Sequence, residues 1–190
     1  MKQQIRILGI DDSPFGFEDE KAMIVGTLVR VPNYLEGVIK SEVTVDGTDS
    51  TEILVKMVSE SRFKGQIKLV MIDGIALAGF NVIDLDEVHS SLRIPVLTLT
   101  RDKPDFDRMK EALRKHFEDW RERYRLITKA ELKVIHTKHN PLYACGIGMD
   151  WSELEELVRM STVRGVVPEP IRMAHLIASA MIKGESYGRS

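Results

Sequence analysis

The chain has 190 residues, with 43% hydrophobic and 29% charged side chains, a balance that excludes a disordered, fibrous or low-complexity protein. A chain of this length buries roughly 70% of its unfolded surface and needs no crosslink. Its single cysteine, Cys145, excludes an internal disulfide and a cysteine-rich zinc site and points to a reducing, cytoplasmic setting. The net charge of −2 conceals an asymmetry: residues 1–100 hold 10 Lys and Arg against 15 Asp and Glu, and 101–190 hold 17 against 14. The basic excess is concentrated over 103–138, where a polyanion can dock, although a solvated helix with alternating charges has the same composition. No window is long and apolar enough for a membrane span, the first residues do not form a secretory signal, and residues 1–190 are read as one domain.

The first apolar run, 5–10, predicts a buried strand that ends in Asp11-Asp12-Ser13-Pro14. Residues 22–30 and 35–45 are rich in β-branched side chains and flank Val-Pro-Asn, so they predict a second and third strand joined as a hairpin. Asp49 or Ser50 can cap a helix running to about residue 62, with Ile53, Leu54, Met57 and Val58 on one face. The apolar runs 67–72 and 94–99 predict strands covered on both faces, separated by a short helix over 82–92. Pro104 opens a long helix to about residue 124, striped by Phe106, Met109, Leu113, Phe117 and Trp120. Short strands at 132–136 and 142–147 and helices at 151–160 and 170–182 complete the chain. This order predicts an α/β fold of the ribonuclease H-like kind, a mixed sheet of three antiparallel strands followed by parallel ones, flanked by helices.

In such a sheet Asp11 and Asp73 leave matching ends of neighbouring strands about 4.8 Å apart. Two carboxylates that close repel unless a proton or a cation separates them, and Mg²⁺ or Mn²⁺ takes oxygen ligands of this kind. Asp49, at the start of the helix after strand three, is the expected third acid, with Asp46 and Glu52 as competitors. The same acids are also ordinary turn formers, so pairing in space is what gives them meaning. Other chemistries find no support: there is no P-loop, no complete G-x-G-x-x-G, no G-x-S-x-G, and Cys145 lies within an apolar strand. His136 and His139 span a predicted strand end, which suits surface or phosphate contacts better than a helical zinc pair.

Three segments carry a resemblance to a known family. LGIDDS resembles the first-strand motif of endonuclease V, VMIDG resembles its later strand ending in Asp-Gly, and NPLYACGIGMDWSELEELVRMSTVRGVVPEPIRMAHLIA is similar to its closing segment. The resemblance, to an archaeal-type branch related to endonuclease V, implies a ribonuclease H-like fold, Mg²⁺ or Mn²⁺ at Asp11 and Asp73, and cleavage of nucleic acid, DNA or RNA, near a deaminated base. It implies that His175 approaches the metal site, that Asp49 aligns with a family Glu, and that Arg101 replaces a catalytic Lys. Arg holds phosphate well but does not readily release its proton. This chain departs where the family reads bases: TVDGTDST lacks the aromatic and proline wedge, and IALAGFN follows Asp73-Gly74 in place of His-Pro-Arg. Two functions remain compatible with these residues, a divalent-metal nuclease and a nucleic-acid or protein binding module that keeps the fold without efficient chemistry.

Overall fold

Both faces of the central strands are buried, which is why their sequences read as continuous apolar runs rather than as alternating ones. The computed structural model describes residues 4–16 and 18–186. In β1 (Arg6–Asp12) and β4 (Leu69–Asp73), Leu8, Ile10, Val70 and Ile72 enter one apolar cluster while Ile7, Leu69 and Met71 enter the opposite one. The first cluster is closed by α1 (Ser50–Ser59) and α2 (Leu85–Leu92), which contribute Leu54, Met57, Val58, Val88 and Leu92. The second is closed by α5 (Trp151–Ser161) and α6 (Glu169–Lys183) through Leu154, Leu157, Val158 and Ile171.

The seven-stranded sheet also contains β2 (Lys21–Arg30), β3 (Tyr34–Thr44), β7 (Val96–Thr100), β8 (Lys133–Ile135) and β9 (Leu142–Ile147), in the order β3-β2-β1-β4-β7-β9-β8. A two-stranded ribbon, β5 (Ala76–Leu77) with β6 (Asn81–Val82), lies in the connection after β4. β1, β2 and β3 pair antiparallel, while β4 lies parallel to β1 and β7 parallel to β4. This is the expected mixed sheet, with one correction: β9 pairs antiparallel with β7. The helical crossover returns the chain so that β8 runs in the direction of β7, but the second strand of the β8–β9 hairpin takes the place beside β7.

The long helix expected over 104–124 is two helices, α3 (Phe106–His116) and α4 (Trp120–Lys129). Phe117 adopts extended backbone between them, which lets the predicted apolar stripe fold back on itself and on Val82 and Ile127 instead of running along one rod. Phe80 meets Phe117 edge to face, with ring centroids 5.7 Å apart. The helix expected from residue 82 begins at Leu85, because Asp84 accepts hydrogen bonds from the backbone N–H groups of Asp86 and Glu87 and so caps it there.

Candidate active site

The parallel register Ile10↔Ile72 places Asp11 and Asp73, one residue further along each strand, side by side at the same sheet end. Strand alternation decides which way each acid points. Asp11 shares its face with Ile7 and Gly9, toward α6, and Asp73 shares that face with Leu69 and Met71. Asp12 is turned to the other face, where its Oδ2 accepts a hydrogen bond from the backbone N–H of Ala78. Asp11 is only 4% exposed. Its Oδ1 accepts from the Asp12 backbone N–H at 2.9 Å and its Oδ2 from His175 Nδ1 at 2.8 Å. The Asp11 carboxylate beside Nδ1 fixes the orientation of the imidazole ring at the site.

His175 reaches the strand because α6 begins in direct contact with it. A Cβ on Gly9 would lie 2.1 Å from the Pro170 carbonyl carbon, so only glycine allows the helix to sit this close. Thr27 Oγ1 donates to the Pro170 carbonyl at 2.7 Å, and Ala174 and Ala178 pack on Val25. Glu169, 2% exposed, accepts two hydrogen bonds from Arg172 at 2.6 and 2.9 Å and one from the Arg164 backbone at 3.3 Å, which anchors the first turn. The closing sequence motif is therefore the device that docks α6 and delivers His175.

The charges at this end oppose one another. Asp73 is pushed up to about 7 by burial first and by the charges of Asp11 and Asp12, against the opposing pull of Arg101 and His175. Asp12 is raised to about 6 by burial and by Asp11, partly offset by the Ala78 N–H. Arg101 is exposed just beyond β7, where its charge favours the ionised form of Asp73.

The structure does not bring Asp49 into this group. Burial raises its pKa, yet hydrogen bonds from Asn81 Nδ2 (2.6 Å), Thr44 Oγ1 (2.8 Å) and the Thr44 backbone hold it below the usual carboxylate range. It makes no side-chain cap to α1; it ties the end of β3 to the ribbon after β4. Asp46 accepts from the Phe80 backbone N–H at 2.8 Å, and Glu52 is exposed on α1. The acid that acts electrostatically on Asp73 beside Asp11 is Asp12, visible in the sequence as the second residue of Asp11-Asp12 but concealed there as a turn former.

Arg123 is the other residue that pattern reading misses. It is 7% exposed, and its Nη1 donates to the carbonyls of Asp46, Gly47 and Phe80 at 2.7–2.9 Å while its Nε meets Asp119 at 2.8 Å. It clasps the β3–α1 turn and the 74–82 connection against α4, and nothing in its helix periodicity distinguishes it from the exposed cations around it.

The donor set fits a small hard cation. Among the described residues no three His, Cys, Asp or Glu side chains converge as a closed cage. Mg²⁺ commonly uses one or two protein carboxylates and completes its shell with water and substrate phosphate. A buried Asp11 beside a half-buried Asp73 meets that description. His136 and His139 are exposed on the β8–β9 connection, at the sheet end of Thr100 and Arg101, as the pairing Thr100↔Tyr143 requires. Cys145 is buried and its thiol is raised by that burial, which leaves it unreactive.

Residues 3–182 match the family described as Endonuclease dU. A UPF0215 protein of Methanosarcina mazei is 42% identical over 193 positions, spanning 100% of this chain and 97% of its own length. A crystal structure of a protein of unknown function from Archaeoglobus fulgidus shares 38% identity and superposes with a TM-score of 0.85 over 95% of this chain and 99% of its own. Human endonuclease V is 15% identical with a TM-score of 0.62, covering 96% of this chain and 84% of its own catalytic domain. Marinitoga piezophila Argonaute, 12% identical, gives 0.56 over 100% of this chain and 32% of its own. The last two share the ribonuclease H-like fold. Among the described residues no helix is long and apolar enough to cross a membrane.

Proposed function

From the premise that this chain belongs to the endonuclease dU family, whose membership implies nuclease action on nucleic acid, we propose that it hydrolyses a phosphodiester at Asp11 and Asp73 with Mg²⁺ or Mn²⁺. The observation that carries this reading is the pairing of the two acids on one face of adjacent parallel strands, where burial first and then the charge of Asp11 raise Asp73. A divalent ion held by such carboxylates polarises the phosphodiester and acidifies water. The protein's own groups do the rest. Asp11 and Asp73 hold the ion, and Asp12 adds negative charge from the other face of β1. His175 keeps Asp11 oriented through Nδ1, and Arg101 meets a phosphate oxygen at the rim. Asp49 serves the site indirectly by holding the β3–α1 turn.

The family name points to DNA containing deoxyuridine as the first substrate to try, and the fold shared with endonuclease V makes inosine the second. The test is incubation with Mn²⁺ or Mg²⁺ and end-labelled DNA and RNA strands carrying deoxyuridine, inosine or no modified base, beside Asp73→Asn and a chelator control. Cleavage that vanishes in the variant and in chelator supports the reading. A folded protein that binds these strands equally with and without metal, and cleaves none, is instead a binding module.

A further inference from the structure

We propose that Phe15, at the tip of the loop that follows Asp11 and Asp12, stacks on a nucleobase beside the phosphate to be cut; the inference rests on the nuclease reading above. Among the described residues Phe15 is the exposed Phe or Trp, at 40%, whereas Phe63, Phe80, Phe106 and Phe117 are half-buried. Tyr34, also exposed, lies at the opposite sheet end under Arg30, whose guanidinium is 4.6 Å from its ring centroid. A single exposed apolar side chain is ordinary in itself. The setting of Phe15 is what gives it meaning.

The loop is held on both sides of its tip. Ser13, 2% exposed, donates its backbone N–H to the Met23 carbonyl at 2.7 Å, and its Oγ accepts from the Met23 N–H at 3.1 Å. Beyond the tip, Gly16 donates its N–H to Asp19 Oδ2 at 2.6 Å, and Asp19 donates its N–H back to the Gly16 carbonyl at 3.3 Å. Pro14 fixes φ between these two clamps. A backbone held this way is already ordered when a base lands on the ring. Phe15 is three residues beyond Asp12, so its backbone lies within about 10 Å of that acid, the scale of a few nucleotide steps at 3.4 Å per step along a strand. Glu18 and Glu20, exposed on the same loop, repel phosphate, so the tip meets the face of a base and leaves the backbone to the Arg101 side. Stacking on an aromatic ring tolerates any base, which suits a contact to the neighbour of a recognised nucleotide.

The experiment uses the full chain in chelator with a single-stranded DNA carrying one deoxyuridine flanked by 2-aminopurine, whose fluorescence reports stacking, and in parallel with Mn²⁺ for cleavage. Phe15→Ala and Phe15→Leu weaken binding roughly 5- to 100-fold and abolish the fluorescence change; Phe15→Trp restores both to within about 3-fold of wild type, the size of a minor stacking difference. The melting temperature of all three stays near that of wild type. Equal binding and an unchanged signal in Phe15→Ala overturn the inference while leaving the nuclease reading intact if cleavage persists. A signal that depends on Phe15 in a protein that cleaves nothing supports the stacking and removes the nuclease reading. A wild type that binds no strand overturns both.

Discussion

His175 on α6 places its Nδ1 2.8 Å from Oδ2 of Asp11 on β1, a contact between residues 164 positions apart that joins the closing motif of the chain to its first strand. On the nuclease reading His175 is a positioning residue, which orients the carboxylate and acts on substrate through Asp11. His175→Ala is expected to raise the Mn²⁺ concentration needed for half-maximal cleavage about 10- to 100-fold, as loss of such partners does at other metal sites. A titration of cleavage rate against metal reads this. A fall in rate at saturating metal with an unchanged midpoint would assign His175 a different role.

The raised acids predict how metal-free stability depends on pH. Asp73 and Asp12 ionise near pH 7 and 6 in the fold and near 3.8 when unfolded, so the folded state binds more protons in between. Their stability is fully present below about pH 4, is lost as pH rises to about 7, and stays lost above it. Thermal melts in chelator should fall across that window, Mg²⁺ should restore stability at pH 8, and Asp73→Asn in chelator should melt higher than wild type at pH 8 but not at pH 4. A wild-type profile in chelator that is flat from pH 4 to 7 would show that burial and the neighbouring charges do not raise these acids.

Asp12 and Asp49 separate the structural assignment from the motif alignment. In Asp12→Asn the amide oxygen still accepts from the Ala78 N–H, so the fold is kept or stabilised while cleavage falls at least tenfold by loss of negative charge behind the Asp11–Asp73 pair. Asp49→Asn weakens the charge-assisted bonds from Thr44 and Asn81, lowering stability by about 1–2 kcal/mol, and leaves the metal dependence of cleavage unchanged. Denaturant unfolding together with metal titration of both variants checks this, and the opposite ordering would return Asp49 to the centre of the site.

Arg123 is a buried cation whose loss strands three carbonyls. Arg123→Ala is expected to cost about 3–5 kcal/mol, the range for breaking a buried charge network. Arg123→Lys should recover only part of this, because an ammonium lacks the planar fork and its stacking on Phe117, whose ring centroid is 4.2 Å from the guanidinium. Urea midpoints of the two variants provide the measurement, and equal stability of Lys and Arg would reduce the clasp to simple charge.

What this sequence determines alone is what short-range periodicity can carry. The shift from continuous apolar runs to 3.6-residue stripes marks the buried strands and the helices that cover them. The parallel neighbours β1 and β4 then follow from topology, and with them the pairing of Asp11 with Asp73. The Pro-Glu-Pro and Ala-His of the closing segment mark His175 as a residue to watch. Tertiary structure decided everything that depends on which side of a strand or hairpin meets a distant partner. Asp12 and Asp11 differ by one residue, hence by one strand face, and only the packed neighbours, Ala78 on one side and α6 on the other, give each face its meaning. Asp49 looks like a ligand until Asn81, 32 residues on, takes its carboxylate. The break between α3 and α4, the antiparallel entry of β9 and the burial of Arg123 likewise arise from contacts across tens of residues, where no local pattern has a period to read.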